Sequence, residues 1–251
     1  MEKLREILLD SEKPSAYFEE LRRNDSLYPE LAALIGVPQN RKYHLEGDVW
    51  THTMLVLDEA AKRRDIVKNP LGFMLSALCH DFGKAVSTVE TDGVVHSFYH
   101  EIDGLPIVRG FLESIGAEQE LADYVLNMTE LHMEPNIMAA AKSKLKKTNR
   151  LFDDSVEPFD LIQLGICDGL GKIPQNDSSE DFLMERYETF KKIMSRPYVT
   201  ERDISEAGIN AGDKMPELLS YAHKLRLAGC DKDNTLRQCR AYAEKVLKKE
   251  G

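Results

Sequence analysis

The chain has 251 residues, 42% hydrophobic and 30% charged, enough to bury a sizeable core as one compact unit or as a domain with an appendage. A formal charge of -10 at pH 7 disfavours nonspecific binding along a nucleic-acid backbone, which depends on neutralising phosphates, and favours small or locally held substrates. No apolar run approaches the roughly 20 residues of a membrane helix, and the amino terminus MEKLREILLD is charged where a signal peptide would be apolar, so the chain reads as cytoplasmic with no membrane partner.

In chain order the segments read as helices with short connections, an all-α fold. Asp48 is placed to cap a helix over VWTHTMLVLDEAAKRR that carries His52 on its inner side. Asn69 caps a second, with Pro70 at its first position, running through LGFMLSALCHD and stopping near Gly83. TVETDGVVHSF, around Asp92 and Gly93, reads as a small hairpin or a loop. LPIVRGFLESIG ends at Gly116, and a helix from about Glu118 puts Leu121, Tyr124, Val125, Met128, Leu131 and His132 on one face. Pro158 opens FDLIQLGICD, which ends in Gly169 and Gly171, and beyond DSSED charged helices continue to the end. The glycines and turn residues of RPYVTERDISEAGINAGDK suggest a division into a core domain, 1–196, and a helical tail, 197–251. Trp50 reads as core, and Cys79, Cys167, Cys230 and Cys239, scattered without close pairs, read as reduced structural thiols.

The chemistry begins at ALCHDFGK. Asp81 falls in the last turn of a buried helix, where the helix dipole disfavours negative charge and apolar neighbours give no hydration, so it needs a cation. Asp168 repeats the situation, and CHDFGK and CDGLGK share one design. With His52 and His80 these acids supply two imidazole nitrogens and two carboxylate oxygens, a mixture suited to a divalent ion of intermediate hardness: Mn, Fe, Co or Ni, or Mg. Without metal, the Asp81 carboxylate is expected to be a net cost to the fold, through the dipole and the nearby Asp168.

His52, the pair His80 and Asp81, and Asp168 together resemble the ligand signature of the HD superfamily of metal-dependent phosphohydrolases. A more specific resemblance is to the carboxy-terminal half of bacterial tRNA nucleotidyltransferases, the CCA-adding enzymes. It is carried by YPELAALIGVPQNRKYHLEGDVWTHTMLVLD, ALCHDFGK, YHEIDGLPIVRGFLESIG and, more loosely, CDGLGK; residues 200–234 are similar to the tail of those enzymes. The glycine-rich, Asp-x-Asp-bearing polymerising head has no counterpart here. The short segment 1–43 precedes His44, and Asp231 and Asp233 sit in a polar turn. Nucleotide addition is therefore not expected of this chain.

What the resemblance implies is phosphatase or 2′,3′-cyclic phosphodiesterase chemistry on nucleotides or RNA ends, in an all-helical HD domain binding a divalent metal through His52, His80, Asp81 and Asp168. Asp81 would also orient or deprotonate the attacking water, and Lys84 would reach a phosphate oxygen. By analogy with HD enzymes that hold two ions, His100 and His132 are candidates for a second metal or for phosphate, and His44 and Asp48 for supporting the ligands. Lys172, His96 and His223 read as surface residues, and the run KSKLKKTNR as a solvated segment, its alternative reading being guidance of an RNA or nucleotide phosphate toward the site. Two other classes stay open: a tRNA-related RNA-binding module with a vestigial site, and a di-iron oxygenase on the same ligands.

Overall fold

The structure, a computed structural model, describes residues 1–175 and 179–247. It is all-α apart from one hairpin, and residues 177 and 178 of the DSSED segment lie outside the described residues. In chain order the helices are α1 (Glu2–Asp10), α2 (Ser15–Arg23), α3 (Pro29–Ala32), α4 (Val49–Ala61), α5 (Pro70–Cys79) and α6 (Lys84–Ser87). Strands β1 (Thr88–Thr91) and β2 (Val94–Ser97) follow, then α7 (His100–Asp103), α8 (Leu105–Ser114), α9 (Gln119–Leu131) and α10 (Glu134–Ala140). The remainder is α11 (Leu145–Asp154), α12 (Pro158–Leu170), α13 (Glu180–Met194), α14 (Glu201–Glu206), α15 (Met215–Leu227) and α16 (Lys232–Leu247).

The chain forms two compact units, residues 1–142 with 154–183, and residues 143–153 with 184–251. The first is built around α5, in which every residue from Leu71 to Cys79 is buried. A helix apolar on all sides has no solvent face to keep and must be surrounded, and α4, α9, α12 and α1 pack around it. Its start is local chemistry: Asn69 Oδ1 accepts from Gly72 N at 2.9 Å, with Pro70 at the first position where no N–H is needed. Asp48 caps α4 as expected, taking Thr51 N at 2.9 Å, and Trp50 is core, 1% exposed.

Two helix ends differ from expectation. α4 stops at Ala61 and gives way to a 3₁₀ turn at Arg64–Ile66. α5 stops at Cys79, because Phe82 N bonds Cys79 O and Lys84 N bonds Asp81 O, three residues back instead of four. This tightening carries Asp81 off the helix and into a turn. The hairpin forms, and Asp92 (φ 53°) and Gly93 (φ 74°) both take the positive φ that a two-residue primed turn requires.

The second unit has its own apolar cluster, with Val199, Ile204, Ile209, Leu218, Ala222 and Cys239. Helix α11 buries Phe152 edge-on against Tyr187 and Phe190 in the same unit, and Asn149 Nδ2 donates to Leu227 O at 2.8 Å. The basic residues of KSKLKKTNR are exposed, Lys146, Lys147 and Arg150 on α11 and Lys142 and Lys144 ahead of it. The division between units falls at Leu183, within α13, so the segment around residue 196 lies inside the second unit. The four cysteines are free thiols, all buried except Cys230, which is half-buried.

Candidate metal centre

Five elements of the first unit bring six side chains to one point. His52 stands in the first turn of α4, His80 and Asp81 follow the last turn of α5, His100 opens α7, His132 follows α9, and Asp168 lies in the last turn of α12. All six are buried, none more than 4% exposed. They form two triads, His52–His80–Asp168 and Asp81–His100–His132, each close enough for its donor atoms to share an ion.

The imidazoles are aimed by their other nitrogens. His80 Nδ1 donates to Ala77 O at 2.9 Å, His132 Nδ1 to Thr129 O at 2.6 Å, and His100 Nδ1 to Ser97 O at 2.7 Å. A carbonyl only accepts, so each of these Nδ1 atoms carries a proton, which leaves Nε2 as the nitrogen turned toward the centre and able to ligate a cation once it is unprotonated. His52 Nδ1 instead faces Glu46 Oε1 at 3.2 Å. The Nε2 atoms of His52 and His80 stand 3.4 Å apart, as do those of His100 and His132. Asp81 lies between the pairs. Its Oδ2 is 3.3 Å from His80 Nε2 and 3.7 Å from His52 Nε2, and its Oδ1 is 3.2 Å from His100 Nε2 and 3.8 Å from His132 Nε2.

A backbone crossing makes this convergence possible. A Cβ on Gly83 would collide with the His100 carbonyl oxygen and meet Gly104 N at 2.7 Å. Glycine at that position lets the turn after Asp81 press against the start of α7, which brings His100 to Asp81.

The charges are set by near neighbours. Burial would raise the Asp81 carboxyl, but the Lys84 ammonium, 2.7 Å from Oδ2, and then His80 carry it well below the usual range. Asp168 is likewise raised by burial and carried well below by Lys172, whose Nζ is 2.8 Å from Oδ2, and by His52 at 3.1 Å from Oδ1. Burial and the adjoining His80 and His100 push His132 down to about 3, which keeps its imidazole neutral. Burial also lowers His52 and His100, and the carboxylates of Asp168 and Asp81 more than reverse it.

This donor set fits a divalent cation. Both Asp81 oxygens are buried, Oδ2 is offset by the Lys84 ammonium while Oδ1 faces only imidazoles, and the Nε2 atoms of each histidine pair crowd to 3.4 Å of one another. A cation satisfies all of these at once, and mixed imidazole and carboxylate ligation suits Mn, Fe, Co, Ni or Zn-like ions better than the all-oxygen preference of Mg or Ca.

His44 reaches the centre through Glu46: its Nδ1 is 2.6 Å from the same Oε1 that faces His52. The Asp48 carboxylate is engaged elsewhere, holding Thr51 N and Gly36 N, and Asp48 meets the centre only through its backbone carbonyl, which accepts from His52 N at 3.1 Å. Lys172 departs from the surface reading, since its side chain is 20% exposed and paired with Asp168. Its spacing of four residues from Asp168, just past the end of α12, is the signal. His96 is half-buried, stacked on Phe98, and His223 pairs with Asp153 at 2.7 Å. Glu46 and Asn136 were not anticipated. Glu46 also accepts from Ile173 N at 2.9 Å, and Asn136 Nδ2 donates to Asp168 Oδ2 at 3.1 Å. A cavity of about 160 Å³ opens onto Asp81, Asp168, His44, Lys84, Lys172 and His100.

No family model matches the chain. It is 33% identical over 146 residues to the Multifunctional CCA protein of Actinobacillus pleuropneumoniae serotype 5b (strain L20), an alignment covering 56% of this chain and 35% of that protein. It is 31% identical over 165 residues to the Multifunctional CCA protein of Shewanella frigidimarina (strain NCIMB 400), covering 63% and 38%. The counterpart in Shewanella denitrificans is 32% identical over 148 residues, covering 58% and 34%. The resemblance to CCA proteins read from the motifs is thus a measured sequence similarity, and the chain spans about a third of the length of these curated relatives.

Proposed function

We propose that the chain is a divalent-metal-dependent phosphohydrolase of the HD type, with phosphatase or 2′,3′-cyclic phosphodiesterase activity on nucleotides or RNA ends. The observation that carries the reading is the position of two ammonium groups, Lys84 and Lys172, at the mouth of a buried four-histidine, two-aspartate centre. Imidazoles and carboxylates hold a cation, and lysines beside them suit a ligand that brings its own negative charge. Similarity to CCA proteins supports nucleotide or RNA chemistry.

His52, His80 and Asp168 would hold one ion, and His100 and His132 a second, with Asp81 facing both groups. A bound divalent ion supplies Lewis acidity and lowers the pKa of coordinated water toward neutrality. The remaining work falls to the chain. Lys84 and Lys172 orient a phosphoryl group over the cavity and offset negative charge as it builds up. Asn136 and Lys172 fix Asp168, while Glu46 and the backbone carbonyls fix the histidine tautomers. Asp81, held as an anion of low basicity, orients rather than accepts a proton.

The test is phosphate release from nucleoside monophosphates and ring opening of 2′,3′-cyclic nucleotides by purified protein supplied with Mn, Co, Ni, Fe or Mg. Turnover that stops in chelator and returns with one of these ions is expected. Turnover that persists in chelator, or none with any ion, would overturn the reading.

A further inference from the structure

A second cavity, of about 470 Å³, borders the centre at His100, and the two cavities share Ser97, His100 and Met133 as their common wall. Its lining differs in kind from the lysine-flanked mouth. Phe98, Tyr99 and Ile137 expose their side chains, Tyr99 to 73% and Phe98 to 65%, beside the carboxylates of Glu101, Glu130 and Glu134. Tyr99 is held there at φ 60°, a left-handed backbone that a bulky residue rarely adopts. One face of Phe98 is taken by the His96 ring, stacked at 4.9 Å, so the Tyr99 ring is the more open aromatic surface.

Resting on the phosphohydrolase reading, we propose that this cavity is a nucleoside subsite and that the substrate is a mononucleotide rather than the end of an RNA chain. The argument is one of charge and shape. A phosphoryl group at the lysine-flanked mouth places the rest of the substrate across His100 and Met133. A nucleobase there has an aromatic face to stack on Tyr99, and ribose hydroxyls or exocyclic amines can donate to carboxylates, which only accept. The cavity volume falls within the usual range for small-molecule sites. An RNA strand would carry further phosphates into a groove lined by three carboxylates, and like charges repel.

The experiment compares adenosine monophosphates, glycerol phosphate and a short 3′-phosphorylated oligoribonucleotide, by calorimetric binding and by phosphate release with Mn. The variants are Tyr99→Asn, whose new residue tolerates the left-handed backbone, and Glu130→Gln/Glu134→Gln, which removes charge at constant shape. Wild type should bind the mononucleotide more tightly than either alternative. In Tyr99→Asn the preference over glycerol phosphate should fall about tenfold, and in the glutamine variant the discrimination against the oligoribonucleotide should shrink. Mononucleotide binding that depends on Tyr99 without any turnover would support the subsite while removing the hydrolase reading. Turnover with equal preference in wild type and Tyr99→Asn, or tighter binding of the oligoribonucleotide by wild type, would overturn the subsite and leave the hydrolase reading standing. Binding of none of the three would overturn the subsite as well.

Discussion

Asp81 carries two opposed electrostatic loads. Burial penalises its charge, and the Lys84 ammonium at 2.7 Å with the surrounding imidazoles rewards it, the second outweighing the first. The helix dipole and Asp168, which the motif alone suggests would make the carboxylate a cost, are therefore not the dominant influences: Lys84, three residues on, reads from the motif as a phosphate ligand or a solvated lysine and is in fact the ion-pair partner of Asp81. The consequence is a definite sign for Asp81→Asn. In chelator the variant should be less stable than wild type by about 1–3 kcal/mol, because Lys84 loses its charged partner in a buried site. With saturating Mn it should gain much less stability than wild type, since one donor facing both histidine pairs has lost its charge, and hydrolysis should fall by a factor on the order of hundreds. Thermal melts of both proteins with chelator and with Mn check this. An equal metal-dependent rise in the two would show that Asp81 is not a ligand.

At the scale of elements, what the sequence makes legible is whatever is settled within a few residues. The caps Asp48 and Asn69, Pro70 and Pro158 at first helical positions, and the Asp92–Gly93 turn all follow from local hydrogen bonding and backbone geometry, and all form. The end of α5 was not legible, because the same apolar run can continue as helix or tighten into successive three-residue turns, and the approach of α7 across Gly83 accompanies the second. Glu46 and Asn136 escaped for a related reason: each matters through a partner brought to it by folding, Ile173 for one and Asp168 for the other. The second unit offers a local case with a testable sign. Asp203 forms a reciprocal cap with Thr200 at the start of α14 and lies 2.7 Å from Lys232 Nζ. Lys232 first, then the Thr200 hydroxyl and N–H, lower its carboxyl from 3.8 to about 2. A depressed folded-state pKa stabilises above the unfolded value and is lost as the pH falls through the folded one, so the window runs from about pH 4 to pH 2. Hydrogen-exchange protection of α14 in wild type should exceed that of Asp203→Asn at pH 6 and converge with it by pH 2. A difference that does not change with pH would assign the cap to shape rather than charge.

At the scale of the whole molecule, the six candidate donors all belong to residues 1–142 and 154–183, and none of them to the second unit. The first unit closes through contacts distant in sequence, α12 returning to α4 and α5 after α11 has entered the other unit, so metal affinity there is linked to the folding of a discontinuous segment. An ion that binds only the folded centre lowers the population of every state in which that centre is open. At an ion concentration one hundred times the dissociation constant the gain is about 2.7 kcal/mol, roughly a hundredfold in protection of amides that exchange only when the unit opens. Adding Mn should therefore raise the protection of α4, α5, α9 and α12 by a common factor of that order and leave α14, α15 and α16 unchanged. Hydrogen exchange read by mass spectrometry, with peptides assigned to each helix, measures both sets in one sample. A common rise across both sets would mean that the two units open together. A rise confined to α9, with α4 and α12 unchanged, would place the ion on His132 and its neighbours and remove His52 and Asp168 from the ligand set.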